Sequence, residues 1–301
     1  MQLYLFSVLA LASQCLYGQP LQQGNAQKDR LGASVSPHLS CIGVGSPIVI
    51  LEAGAGRGAA DWAKVKPTVG ELTQVCSYDR HQDHCCDEVI DDLRSALREA
   101  SLPGPYVFVG HSLGGLYVRR FANRFPNDVA GLVLVDGADE KQLTGIIAPG
   151  LKPELYRPGA MSDSDIEAFF KDLGRRMMAA GTAPADNTRE SKGEDPGEIR
   201  MARFYRQIAA DRHDFMFSEK PLIVLTASQA PPLPRFSTEQ RAQLEEDHWI
   251  LQARMRLLSK NSKQVLVPNS GHYVHVDRPD AVIAAIRDAV TAVRSAARLV
   301  P

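Results

Sequence analysis

The chain has 301 residues, is 44% hydrophobic and carries a formal net charge of −1, so it can bury a full core and has no global electrostatic bias. One large domain fits best. Near-neutral charge, with no long basic run and no interleaving of aromatic with basic residues, argues against nucleic acid as the main partner and for a small neutral or weakly charged substrate.

Leu3 to Leu16 are mostly apolar and precede a polar, poorly patterned stretch from Gly18 to Arg30. This reads as a secretory signal over residues 1–26 and predicts a secreted or periplasmic protein; the segment is too short for stable membrane insertion. The chain has no Lys or Arg before Lys28, and the cleavage point lies anywhere between Gly18 and Ala26. An amphipathic or buried N-terminal extension is the alternative. Removing the segment removes Cys15 and leaves Cys41, Cys76, Cys85 and Cys86, an even count suited to an oxidising compartment. Cys41 lies just before one candidate strand and Cys76 begins another, so a Cys41 to Cys76 disulfide is expected. Two buried thiols are the alternative.

Strand-like runs follow at Pro47 to Ala53, Val75 to Tyr78, Tyr106 to Val109, Gly131 to Val135, Leu222 to Thr226 and Gln264 to Val267. Helical patterns alternate with most of them. Val89, Leu93 and Leu97 share one face, as do Val282, Ile286, Ala289 and Val293 after a start at Pro279 and Asp280. The alternation predicts an α/β fold, a mostly parallel central sheet with helices on both faces and an active site at the carboxyl ends of the strands. Gly137 to Lys220 breaks the rhythm with a helix through Ile166, Phe169, Phe170, Leu173 and Met177, a polar linker from Gly181 to Gly197, and a second helix through Phe204 and Ile208. The expected organisation is a core over residues 27–136, a helical cap insertion over 137–220 and the rest of the core over 221–301.

Within this frame, the run from Pro105 to Val109 leads into Gly110-His111-Ser112-Leu113-Gly114-Gly115, and Val118, Phe121, Ala122 and Phe125 follow at helical spacing until Pro126. Gly-x-Ser-x-Gly alone arises by chance in roughly one chain of this length in ten, so its setting between strand and helix carries the weight. The two glycines leave room for a sharp turn that lifts the Ser112 hydroxyl clear of the sheet. A serine hydroxyl needs a base held in the right tautomer by a carboxylate. His272, in Asn269-Ser270-Gly271-His272 after the last strand, is the expected base, with His275 as competitor; Gly271 allows the sharp turn that favours His272. Asp136 ends its strand and is the expected acid, with Asp139 and Glu140 as nearby competitors. The Gly-rich stretch Ala53-Gly54-Ala55-Gly56-Arg57-Gly58 follows a strand; it lacks dinucleotide spacing and the Gly-Lys-Ser/Thr of a phosphate loop. Its amides suit an oxyanion hole, assigned to the backbone N–H groups of Ala55 and Leu113.

The order Ser112, Asp136, His272, with the strand series from Pro47 onward, resembles the α/β-hydrolase fold family, and Gly110 to Gly115 resembles the nucleophile elbow of its esterase and lipase members. The resemblance covers about four fifths of the chain on the strand and elbow criteria. It implies a serine hydrolase that cleaves carboxylic esters through an acyl-enzyme, with no cofactor or metal. Two departures stand out. Most members carry the acid after the strand equivalent to Leu222 to Thr226, yet Ala227 to Pro234 contains no carboxylate. That vacancy sends the role to Asp136, a position used by a minority of the family. Secondly, Tyr78-Asp79-Arg80 resembles a common family stretch that normally runs into a Gly-rich loop, whereas here His81-Gln82-Asp83-His84-Cys85-Cys86-Asp87 follows. His81, Asp83, His84 and Cys85 are competent metal ligands, and their spacing resembles part of a metallo-β-lactamase-type motif with Asp79 where the first His would stand. A zinc-dependent hydrolase and a catalytically silent binding protein are therefore the alternative functions.

The substrate class follows least from sequence. Phe169, Phe170, Met177, Phe204, Tyr205 and Phe215 to Phe217 either line a pocket for an apolar acyl or aromatic ester or pack the cap on the core, and Trp62 and Trp249 share that ambiguity.

Overall fold

The computed structural model describes residues 37–81, 84–140, 196–229, 238, 248–249 and 251–299. Its strands are β1 (Leu39–Ile42), β2 (Val49–Glu52), β3 (Val75–Tyr78), β4 (Tyr106–His111), β5 (Val129–Val135), β6 (Leu222–Ala227) and β7 (Ser262–Val267). They form one sheet in the order β1-β3-β2-β4-β5-β6-β7, in which only the β1–β3 pair is antiparallel. Between them run helices α1 (Lys66–Leu72), α2 (Asp87–Glu99), α3 (Leu113–Arg124), α4 (Pro196–Asp211), α5 (Val274–Asp277) and α6 (Pro279–Ser295).

The inner strands are apolar at nearly every position because both faces of the sheet are covered. Period-two alternation sorts their side chains. Ile50, Phe108, Leu132, Leu134 and Val224 join α2, α3 and α4 in one buried cluster, while Val49, Leu51, Val107, Val133 and Ile223 join α1 and α6 in the other. Each fully buried aliphatic or aromatic side chain contributes about 1.5–3 kcal/mol. The central strands are thus held firmly at the point where their carboxyl ends must be positioned.

All six expected strands are present; four run longer by one or two residues than their patterns indicated, whereas the strand expected over Pro47 to Ala53 spans Val49–Glu52. The additional strand, β1, has only four residues and a half-buried alternation; its identity comes from pairing with β3 rather than from local pattern. That pairing sets Cys41 opposite Cys76, and a disulfide joins them.

Of the expected cap, the structure describes residues 137–140 and 196–220, and the expected helix through Ile166 and Met177 lies outside the described residues. One boundary is corrected. Pro196 and Gly197, read from sequence as the end of a polar linker, open α4, as proline in a first helical turn readily does. Phe204, Tyr205 and Phe217 are each at most 4% exposed and belong to the main core, with Phe204 stacked 5.4 Å from Tyr117. For these three the packing reading holds. Among the described residues no helix is long and apolar enough to cross a membrane.

Candidate active site

Strand β4 ends at His111, and Ser112 occupies the cap position of α3 with φ 52° and ψ −120°. A non-glycine residue held there costs of order 1–3 kcal/mol, which the surroundings must offset. They do so by close packing. A Cβ on Gly110 would meet the Gly114 carbonyl oxygen at 2.6 Å, and one on Gly114 would meet the Glu52 carbonyl oxygen at 2.5 Å. The turn is further tied to β5, since Ser112 N–H donates to Val135 O at 3.3 Å and Ala138 N–H donates to Ser112 O at 2.8 Å.

Asp136 follows β5 directly, with φ 43° and 2% exposure. His272 Nδ1 donates to its Oδ2 at 2.7 Å. A carboxylate can only accept, so Nδ1 carries the hydrogen and a neutral ring keeps its basic lone pair on Nε2. Oδ1 accepts from the backbone N–H of Ala227 at 3.0 Å and from His248 Nε2 at 3.1 Å. Burial pushes the Asp136 carboxyl up, but the His248 charge and the hydrogen bonds from His248 and His272 hold it well below the usual carboxylate range.

The competing acids are placed elsewhere. Glu140 accepts from Arg119 at 2.6 Å and from Arg212 at 3.0 Å, while Asp139 faces Arg212 at 3.3 Å and Arg254 at 3.5 Å. Burial pushes Glu140 up, and Arg119 and Arg212 bring it down to about 2. These two carboxylates neutralise a buried guanidinium cluster. The competing base, His275, faces Asp61 at 3.6 Å and stacks on Trp62, with ring centroids 4.8 Å apart. Asp61 is also clamped by Arg57 at 2.5 and 2.8 Å.

His111 links the two histidine environments. Its Nε2 donates to the carbonyl oxygen of His272 at 2.9 Å, and its ring lies 4.4 Å from that of His275. The residue beside Ser112 therefore anchors the loop that carries His272. Burial pushes both His111 and His275 down; for His111 the neighbouring His275 and His272 add to the effect, and for His275 the Asp61 carboxylate opposes it, with His272 and Arg57 acting in the same sense as burial. A consequence for stability follows. Unfolded histidines take up protons below about pH 6.5, whereas these two resist protonation in the fold, so unfolding binds protons there. Their contribution is fully present above about pH 6.5 and is lost as pH falls. Denaturant unfolding at pH 7.5 and pH 5 is expected to show lower stability at pH 5, with the difference reduced in His275→Gln; an equal loss in that variant would contradict the assignment.

The Gly-rich loop passes over the elbow, as a Cβ on Gly54 would lie 2.8 Å from His111 Nδ1 and 3.3 Å from Ser112 Cβ. Buried Arg80 fixes its stem, donating to the carbonyl of Ala53 at 2.7 Å, to that of Gly54 and to the Glu52 carboxylate, which also accepts from the Tyr78 hydroxyl. In a trans peptide the N–H of Ala55 points away from the carbonyl of Gly54. Capture of that carbonyl by Arg80 therefore turns the Ala55 N–H to the opposite side. Asp79 Oδ1 holds the far end of the loop through Ala59 N–H at 2.8 Å. Leu113 N–H lies in the first turn of α3, where helical geometry supplies no acceptor and the helix dipole favours negative charge.

Of the residues weighed as zinc ligands, Asp83 lies outside the described residues, and His84 Nδ1 is engaged by Asp92 at 2.5 Å. Among the described residues, the group whose ligand atoms converge is Asp61, His111 and His275 instead. His248 was missed by sequence reasoning. It stands in Glu245-Glu246-Asp247-His248, which carries no motif, and its partner is 112 positions away.

Comparison with known proteins extends these findings. The profile described as the alpha/beta hydrolase family matches residues 32–285. The uncharacterised protein YqjL of Bacillus subtilis is 24% identical over 250 residues, covering 80% of this chain and 82% of that protein. Among solved structures, an esterase from a marine microorganism superposes with a TM-score of 0.50 at 16% identity, covering 84% of this chain and 98% of its own. A thermophilic esterase from Thermogutta terrifontis also gives 0.50, at 19% identity, with 85% and 93% covered. At these identities the structural likeness concerns the fold.

Proposed function

The chain belongs to the alpha/beta hydrolase family, and from that premise we propose that it is a serine hydrolase of small-molecule carboxylic esters, acting through an acyl-enzyme. The observation that carries this reading is the 2.7 Å hydrogen bond from His272 Nδ1 to buried Asp136, on loops tied to the turn that bears Ser112. In this mechanism His272 Nε2 takes the Ser112 proton as Oγ attacks the ester carbonyl. The backbone N–H groups of Ala55 and Leu113 receive the developing oxyanion, each contributing about 2.7–4 kcal/mol. His272 then returns the proton to the leaving alcohol, and water activated by the same ring releases the acid. The disulfide and the apolar N-terminal segment support an extracytoplasmic setting.

The test is turnover of p-nitrophenyl esters from acetyl to decanoyl, followed through the pre-steady state. A burst of phenol equal to enzyme, with faster turnover of the medium-chain esters, is the expected outcome. Hydrolysis that shows no burst and is abolished by a chelator would overturn the mechanism, and a flat chain-length profile would remove the apolar acyl preference.

His248 enters the same scheme as a positioning residue. Its hydrogen bond steadies Asp136 Oδ1, and a bond to a charged group is worth about 1.5–3 kcal/mol. His248→Ala is expected to lower kcat about 10-fold or more with KM unchanged, and a change confined to KM would remove the role.

A further inference from the structure

With Cys41 and Cys76 joined, the described cysteines not in a disulfide are the neighbours Cys85 and Cys86, which are 2% and 9% exposed. Their sulfurs lie 3.0 Å apart. Unbonded carbon atoms, which are smaller, settle at about 3.5–4.0 Å, and a disulfide measures about 2.05 Å. The pair is therefore inside ordinary contact distance. The backbone is bent to suit, since Cys86 has φ 62° and ψ −131°, a conformation that a non-glycine residue holds only when something fixes it.

We propose that Cys85 and Cys86 form a vicinal disulfide and so constitute a site of reversible two-electron oxidation. The step is thiol–disulfide exchange with a disulfide donor, either an oxidised thiol oxidoreductase or a small-molecule disulfide. One Cys thiolate attacks a donor sulfur to give a mixed disulfide, and the second displaces the donor. The new Cys85–Cys86 bond replaces the donor's own, and the donor's two sulfurs leave carrying both electrons and both protons. The Arg200 guanidinium, paired with Glu88, acts electrostatically on both sulfurs. Adjacent Cα atoms lie about 3.8 Å apart, below the usual span of about 4.4–6.8 Å for a bridged pair and below the 4.1 Å between Cys41 and Cys76, so the bond is the more strained of the two and the more easily reduced.

The position gives this chemistry a structural consequence. Cys86 caps α2, and its N–H donates to the Tyr117 hydroxyl at 3.4 Å. The Tyr117 ring in turn lies 5.5 Å from the guanidinium of Arg80, which pins the Gly-rich loop. Closing the ring fixes the backbone at this junction.

The experiment uses the full chain produced in an oxidising compartment, denatured without reductant, alkylated, digested and mapped by mass. The expected peptide carrying Cys85 and Cys86 is unlabelled and lighter by two hydrogens than its reduced form. Label on both residues would overturn the proposal. A second measurement raises dithiothreitol stepwise on the folded protein before quenching. Label is expected at Cys85 and Cys86 at lower reductant than at Cys41 and Cys76, and the reverse order would overturn the claim of a readily reversible site.

Discussion

Ester turnover by Ser112→Ala protein is expected to fall about 10⁶-fold in kcat, because Ser112, His272 and Asp136 act as a unit in the proposed mechanism. Ser112 is 4% exposed and caps α3 without using its side chain in the cap. Removing one oxygen there leaves the elbow packing intact, and both glycine contacts are unaffected. The thermal midpoint is therefore expected to stay near that of the parent protein, which separates a lost nucleophile from a lost fold. Turnover within 10-fold of the parent, with any effect confined to stability, would remove Ser112 from the chemistry.

The second large effect is expected at Asp136→Asn, with a fall of about 10⁴-fold in kcat, since an amide in place of the carboxylate favours the wrong imidazole tautomer. His272 Nδ1 donates to Oδ2 at 2.7 Å in the parent; an Asn side chain turned to present its NH2 would make that nitrogen an acceptor and leave the hydrogen on Nε2. The carboxylate also contributes stability. Its folded pKa is depressed, so that contribution is present above about pH 4 and is lost as pH falls through the folded value. The control is Asp139→Asn, three residues on in the same loop. Asp139 faces Arg212 and Arg254 rather than His272, so its replacement is expected to lower stability while kcat of the folded protein stays within a few-fold. Equal losses of kcat in the two variants would contradict the assignment of the acid.

Much of this site was legible because its signals are local. Ser112 is marked by a glycine on either side and by the change from strand to helix pattern around it, and both follow from the steric demands of the turn. Asp136 was reached by elimination, and the structure supplies a physical counterpart to that vacancy. Ala227, which ends the strand where most members carry the acid, gives its backbone N–H to Asp136 instead. The choice of His272 over His275 rested on one glycine, whereas the structure separates them by environment, one ring on Asp136 and the other beside Asp61 and Trp62. His248 was not legible, because a histidine in an acidic stretch has no pattern until the fold brings it to its partner. Arg80 illustrates the same limit. Its family stretch was recognised, but its hold on the carbonyls of Ala53 and Gly54 is a long-range contact. Strand β1 escaped because edge strands of four residues are defined by their neighbour. The pocket was the least legible part. Aromatic residues at helical spacing look alike whether they meet substrate or core, and Phe204 and Tyr205 meet core.

An activated serine at the elbow is tested by reaction of the folded protein with a fluorophosphonate, followed by peptide mass mapping in parent and Ser112→Ala proteins. A single adduct on Ser112, absent from the variant and slowed in Asp136→Asn, is the expected result. Folded protein that takes up no adduct, or carries it on another residue, would contradict the account.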